Sequence, residues 1–194
     1  MNILEKTVKH FGTVMTHKKW VLYYCRKAGI TWRGLKHDLS KLSPTVFWES
    51  VKYYQGNRSP IDACKEANGY SKAWLHHRGR NSHHYEYWTD GYDNGGHALK
   101  MPFENALEML CDYLGAGRAY MKDKFTYTAE FEWWKKKAIK PLLMHPHTRN
   151  FIFIILANLA TLEKLGEDPL RSFNYDELHY IYNNINDEGR FIYA

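Results

Sequence analysis

Apolar positions along this 194-residue chain recur mainly three or four residues apart, and strand-like alternation is scarce. The pattern predicts an all-α fold. The first helix should run from Ile3 to Ala28, with Leu4, Val8, Phe11, Met15, Leu22 and Cys25 on its buried side and Gly29 ending it. His10 and His17 share a face of that helix near the apolar stripe. A short helix from Trp32 to Lys41 carries His37-Asp38. Ser43-Pro44 and Ser59-Pro60 each read as an N-cap followed by proline at the first helical position, and the second of these helices ends near Gly69. Ser71 caps a helix that holds two His-His pairs. Pro102 opens a strong helix to about Met121, with Ala106, Met109, Leu110, Tyr113 and Leu114 inward. Thr128 caps another to Ile139, an apolar helix spans 149 to 165 and stops at Gly166, and Asn174 caps the last, Tyr175 to Asn184. Between them, Asp90 to Gly96 is turn chemistry and predicts a loop at the mouth of a site.

No repeat, low-complexity stretch or long linker divides the chain. The expected architecture is therefore one irregular helical bundle over residues 1–194. Its most apolar run, Phe151 to Ala157, is far short of the ~20 residues that cross a membrane. The N-terminus lacks the apolar stretch of a signal peptide, so a cytoplasmic protein with no membrane partner is expected. Cys25, Cys64 and Cys111 are far apart and form no CxxC, which excludes a zinc ribbon and predicts reduced, buried thiols. A formal charge of +6 favours anionic partners, phosphate esters or nucleic acid. No nucleic-acid motif supports the latter, and the longest basic run, Lys135-Lys136-Lys137, reads as a solvated helix face.

The chemistry concentrates in the stretch Trp74 to Glu86, where His76-His77 and His83-His84 stand seven positions apart. A helical core needs no such pairs, whereas imidazole is the commonest metal ligand. On one continuous helix His77 and His84 would lie about 10.5 Å apart along the axis. Ions of a two-metal site are only about 3.5–4 Å apart. Gly79 and Asn81-Ser82 therefore predict a break between the pairs, with Ser82 recapping the chain. His37-Asp38 alone fits a surface helix. Near a helix end, though, the two side chains can converge, and the carboxylate can bridge two ions.

His17, Val21, Gly29, His37, Asp38 and Lys41 together, followed by Asp112 within Leu110–Leu114, give a spacing that resembles the HD-domain superfamily of metal-dependent phosphohydrolases. The resemblance covers about residues 10–122 and gives nothing specific for the helices expected over 128–186. It implies an HD-type bundle in which His17, His37, Asp38, His77, His84 and Asp112 hold two divalent transition-metal ions (Mn, Fe, Co, Ni or Zn). It also implies that Asp38 and Lys41 take part in catalysis. Arg78, Arg80, Arg118, His76 and His83 are the candidate contacts to a nucleotide or other small phosphorylated substrate, although for each arginine alone a surface ion pair is the commoner role. The faint likeness of His83-His84-Tyr85-Glu86 and Asp90-Gly91-Tyr92 to a cyclic-dinucleotide phosphodiesterase pattern fails at the glutamate position. The same ligand set with two irons suits an oxygenase, and a binding protein with a structural metal is the third reading. His97 reads as a loop residue near substrate, His145 and His147 as a helix start, and His179 as surface. Trp74, Tyr85, Tyr87, Trp88 and Tyr92 read as core packing or as a wall on which a base stacks.

Overall fold

The amphipathic segments fold as helices, and in the computed structural model nine are described: α1 (Ile3–Lys27), α2 (Thr31–Lys36), α3 (Pro44–Tyr53), α4 (Pro60–Asn68), α5 (Lys72–Arg78), α6 (Phe103–Met121), α7 (Tyr127–Ala138), α8 (Pro146–Lys164) and α9 (Tyr175–Asn183). The description covers residues 1–91, 95–140 and 142–190. Strands β1 (Thr89–Asp90) and β2 (His97–Ala98) make a small antiparallel hairpin. The fold is thus all-α, an irregular bundle. Among the described residues no helix is long and apolar enough to cross a membrane. All three cysteines are free and buried.

One hydrophobic cluster draws Val21, Tyr24 and Cys25 of α1 against Leu107, Leu110 and Leu114 of α6, and continues through Trp134, Phe151, Ile155 and Leu178. Helices α1 and α6 touch backbone to side chain at Gly115, where a Cβ would lie 2.5 Å from Val21 Cγ2 and 2.9 Å from Val21 N. Only glycine permits that approach.

Several expectations change. The buried face of α1 carries His10, Val14, His17, Val21, Tyr24 and Cys25, while Leu4 is 72% and Val8 64% exposed, with Phe11 and Met15 also outside. The second helix stops at Lys36: His37 is extended and Asp38 is left-handed at φ 55°, before a 3₁₀ turn over Leu39–Leu42. Ser43 and Ser59 make no side-chain cap, although proline opens both helices. Ser71 does cap α5, and Gly69 ends α4 in the left-handed region. Helix α7 is capped by Thr126 instead of Thr128, and Glu163 accepts from the amides of Tyr127 and Thr128. His145 caps α8, which begins three residues earlier than the apolar run because the side chain supplies an acceptor for the His147 amide. Asn174 caps α9 as the spacing predicts.

Candidate metal centre

Two local breaks in the chain put the candidate ligands together. After α2, the turn at His37-Asp38 is pinned by Lys18 Nζ, which donates to Leu35 O at 2.7 Å and His37 O at 2.9 Å. This lysine directly follows His17, so the anchor also sets His17 beside the turn. After α5, the helix ends at Gly79 and the chain turns back, so His83 and His84 do not continue the line of His77. The predicted break is there, but Ser82 does not recap it. Ser82 Oγ instead accepts from Asn105 of α6, and Ser82 O accepts from Trp88 Nε1.

Two groups of side chains then face one another across Asp38. In one, Asp38, His77, His83 and His84 each offer an atom within 4.8 Å of the others, and in the second, His17, His37, Asp38 and Asp112 do the same. Asp38 Oδ1 lies 3.2 Å from His77 Nε2 and 3.3 Å from His83 Nε2. Its Oδ2 lies 3.2 Å from His37 Nε2 and 3.6 Å from His17 Nε2. Asp112 Oδ1 completes the second group, 3.0 Å from His17 Nε2 and 3.5 Å from His37 Nε2. Despite these distances, Nε2 of all five histidines and Asp38 Oδ1 are buried with no hydrogen-bond partner, and Asp38 Oδ2 meets only the Lys41 ammonium. Buried polar atoms are rarely left so. Edges of this length are what ligands around a common ion have, roughly 3.0–3.4 Å for bonds of about 2.1 Å. The buried His/Asp clusters can hold a metal ion.

The surrounding groups fix the right atoms inward. A ligand Nε2 needs its proton on Nδ1, and an acceptor stands there for two rings, Glu108 Oε1 for His37 at 2.9 Å and for His83 at 3.2 Å, while His77 Nδ1 lies 2.9 Å from Ser40 Oγ and 3.1 Å from Asn81 Nδ2. Arg33 Nη1 donates to the other Glu108 oxygen at 3.0 Å. Burial alone would raise the Glu108 carboxyl, but the two imidazoles hold it at about 2. Asp38 and Asp112 are likewise pushed up by burial yet held well below the carboxylate range, Asp38 by His37 and Lys41 and Asp112 by His17 and His37. His84 is driven well below the usual imidazole value by burial and by its neighbour His83, which keeps its lone pair free.

Beside Asp38 opens a cavity of about 250 Å³ whose lining includes His17, Lys41, His77, His84 and Asp112. Lys41 Nζ lies 2.5 Å from Asp38 Oδ2, and although burial lowers its basicity, Asp38 and Asp112 outweigh that and raise it. His10 also lines this cavity, held down to about 4 by burial and by Lys41.

All six expected ligands come together in these groups. His83, expected at substrate, belongs to the ligand group, whereas half-buried His76 belongs to neither. Arg118 packs over the Trp20, Phe125 and Tyr127 rings and donates to Tyr24 Oη, away from the cavity. Arg78 and Arg80 do not line it either, nor does any described residue of the 90–96 loop or His97. Tyr92 lies outside the described residues. Trp74 lines the cavity 5.0 Å from the His84 ring, while Tyr87 is exposed. Two contributors escaped the sequence reading. Glu108 lies one turn before Asp112, and the stripe Glu104, Glu108, Asp112 on an otherwise apolar helix is the signal that would have found it. Lys137 lines the cavity and is not part of a solvated face.

The profile of a family of unknown function, DUF5662, matches residues 6–158, a span that contains every residue of this site, and the chain belongs to that family. No curated protein and no solved structure matches the chain.

Proposed function

We propose that this member of the DUF5662 family is a metal-dependent phosphohydrolase of the HD-domain type, acting on a small phosphate ester through two divalent transition-metal ions. The observation that carries the reading is the pair of ligand groups sharing Asp38, with the Lys41 ammonium on the wall of the adjoining cavity. The donor set is nitrogen and oxygen with no thiolate, which suits Mn, Fe, Co, Ni or Zn in an open site. Ions bound there would supply Lewis acidity toward a phosphoryl oxygen and acidify the attacking water.

The chain's own residues do the rest. Asp38 turns one oxygen to each group and so fixes their separation. Glu108 holds the His37 and His83 imidazoles in the tautomer that presents Nε2, and Ser40 orients the His77 ring. Lys41 stays cationic and offers its remaining N–H donors to a phosphate oxygen in the cavity. The cavity limits the water around the reacting ester.

The same ligand set suits a di-iron oxygenase, so the test separates the two chemistries. Protein purified without a His-tag column should contain two transition-metal ions per chain by elemental analysis. Under strict anaerobiosis it should release phosphate from a member of a nucleotide and phosphomonoester panel, and Lys41→Ala should keep its metals yet lose most turnover. Product formed in proportion to dioxygen consumed would establish an oxygenase instead. Full metal loading with no turnover in either assay would favour a binding protein.

A further inference from the structure

The cavity beside Asp38 has a second cation that the proposed hydrolysis does not use. Lys137, on α7, lines it from outside the α1–α6 segment that supplies the ligand groups. Its Nζ donates to Tyr113 Oη at 3.2 Å and sits 4.5 Å from the centre of that ring, 5.1 Å from Trp133 and 5.7 Å from Tyr85. Aromatic faces attract an ammonium but accept no conventional hydrogen bond. An ammonium has three donors, and Tyr113 takes one. Among the described residues no carboxylate lies within 4.0 Å of Nζ; burial lowers its basicity, and Glu86 from farther away exerts the largest opposing charge effect. Lys41 differs in this respect, because its ammonium is already paired with Asp38. Besides the two lysines and the ligand side chains, the lining includes the apolar and aromatic Val14, Val46, Ile61, Tyr113 and Trp133.

Resting on the phosphohydrolase reading, we propose that Lys137 forms a second anion-binding end of this cavity, so that the substrate is a compact phosphate monoester whose apolar or aromatic body carries a further anionic group. The volume of about 250 Å³ supports a small body, since pockets for drug-sized ligands run from about 300 Å³ upward. Two idle donors on a half-buried ammonium explain why a second anion would be selected: a neutral substituent leaves them unfilled, and a carboxylate fills them. Lys137 is half-buried, and the partial exclusion of water strengthens a charge-assisted hydrogen bond made there.

The test is equilibrium binding of two non-hydrolysable probes to metal-loaded protein by calorimetry: benzylphosphonate with a 4-carboxylate, and its neutral 4-carboxamide counterpart. Wild type should bind the carboxylate about tenfold more tightly, as a charge-assisted hydrogen bond implies. Lys137→Met should lose that preference while binding the carboxamide unchanged, and Lys137→Arg should restore part of it. Metal content and circular dichroism of each variant establish that it is folded and loaded. Equal affinity of wild type for the two probes overturns the proposal, as does a preference that survives in Lys137→Met. A loss of both probes together would assign Lys137 to the phosphonate end, and binding of neither would also reject the subsite. A carboxylate preference without phosphate release from the matching aryl phosphates would keep the subsite and remove the hydrolase reading.

Discussion

Asp38 and Glu108 are both buried carboxylates surrounded by imidazoles, yet their geometry gives them different work. Asp38 faces Nε2 of four histidines and shares no hydrogen bond with them, whereas Glu108 faces Nδ1 of His37 and His83. The first therefore stands where an ion would bind, and the second positions the rings that would reach it. Asp38→Ala should empty or disorder both ion positions, because each group loses the oxygen it shares. Glu108→Gln should keep the fold and both ions but weaken metal affinity about 10- to 100-fold, as loss of an outer carboxylate commonly does. Titration of apo protein with a metal-buffered series measures both. Full ion occupancy in Asp38→Ala would remove the shared carboxylate, and an unchanged affinity in Glu108→Gln would reduce Glu108 to an ion-pair partner of Arg33.

At the scale of elements, the site depends on how closely α1 and α6 cross. His17 precedes Val21 by four residues and Asp112 precedes Gly115 by three, so both ligands sit about one turn from the glycine contact. Gly115→Ala forces the helices apart, at a cost of about 1–3 kcal/mol for overpacking. It should also lower metal affinity, since the His17 Nε2 to Asp112 Oδ1 distance of 3.0 Å widens with the crossing. Chemical denaturation and metal titration on one preparation test this, and lost stability with unchanged metal affinity would separate the crossing from the site. The same helix explains what the sequence could and could not reveal. Periodicity located α1 to within a residue of either end and Cys25 on its buried side, but over the N-terminal half it pointed the wrong face inward. The buried face is lined by His10 and His17 because it borders a polar centre, while Leu4, Val8, Phe11 and Met15 remain outside. His17, His37, Asp38 and Asp112 were legible through the resemblance to the HD-domain pattern, since helical periodicity alone relates residues of one helix and these stand on three segments. It could not find Glu108 or Lys137, whose roles exist only once α6 and α7 pack against the turn after α2 and the aromatic wall.

For the whole molecule, the ligand groups span from His17 to Asp112, so the site assembles only as the bundle folds and a metal bound there would add to stability. A second contribution runs against it. Glu130 on α7 is only 4% exposed, and burial raises its carboxyl to about 8, with Asp112 adding to the rise and Lys137 opposing it. Below pH 4.5, its ordinary value, the group is neutral whether the chain is folded or not. Between 4.5 and about 8 the unfolded chain releases the proton while the folded chain keeps it, so stability falls as pH rises. The slope is about 1.4 kcal/mol per pH unit, and it vanishes once the folded carboxyl ionises as well. His37 and His83, both raised on balance by neighbouring carboxylates, also favour the folded state at low pH, so the wild-type curve alone does not isolate Glu130. The difference between Glu130→Gln and wild type does. In chelator, to keep metal out of the comparison, urea unfolding at pH 5, 6, 7 and 8 should show the glutamine variant gaining on wild type with each step, by about 3 kcal/mol in all at an upper limit. A difference that stays constant across the series would mean that Glu130 is ionised in the folded protein throughout.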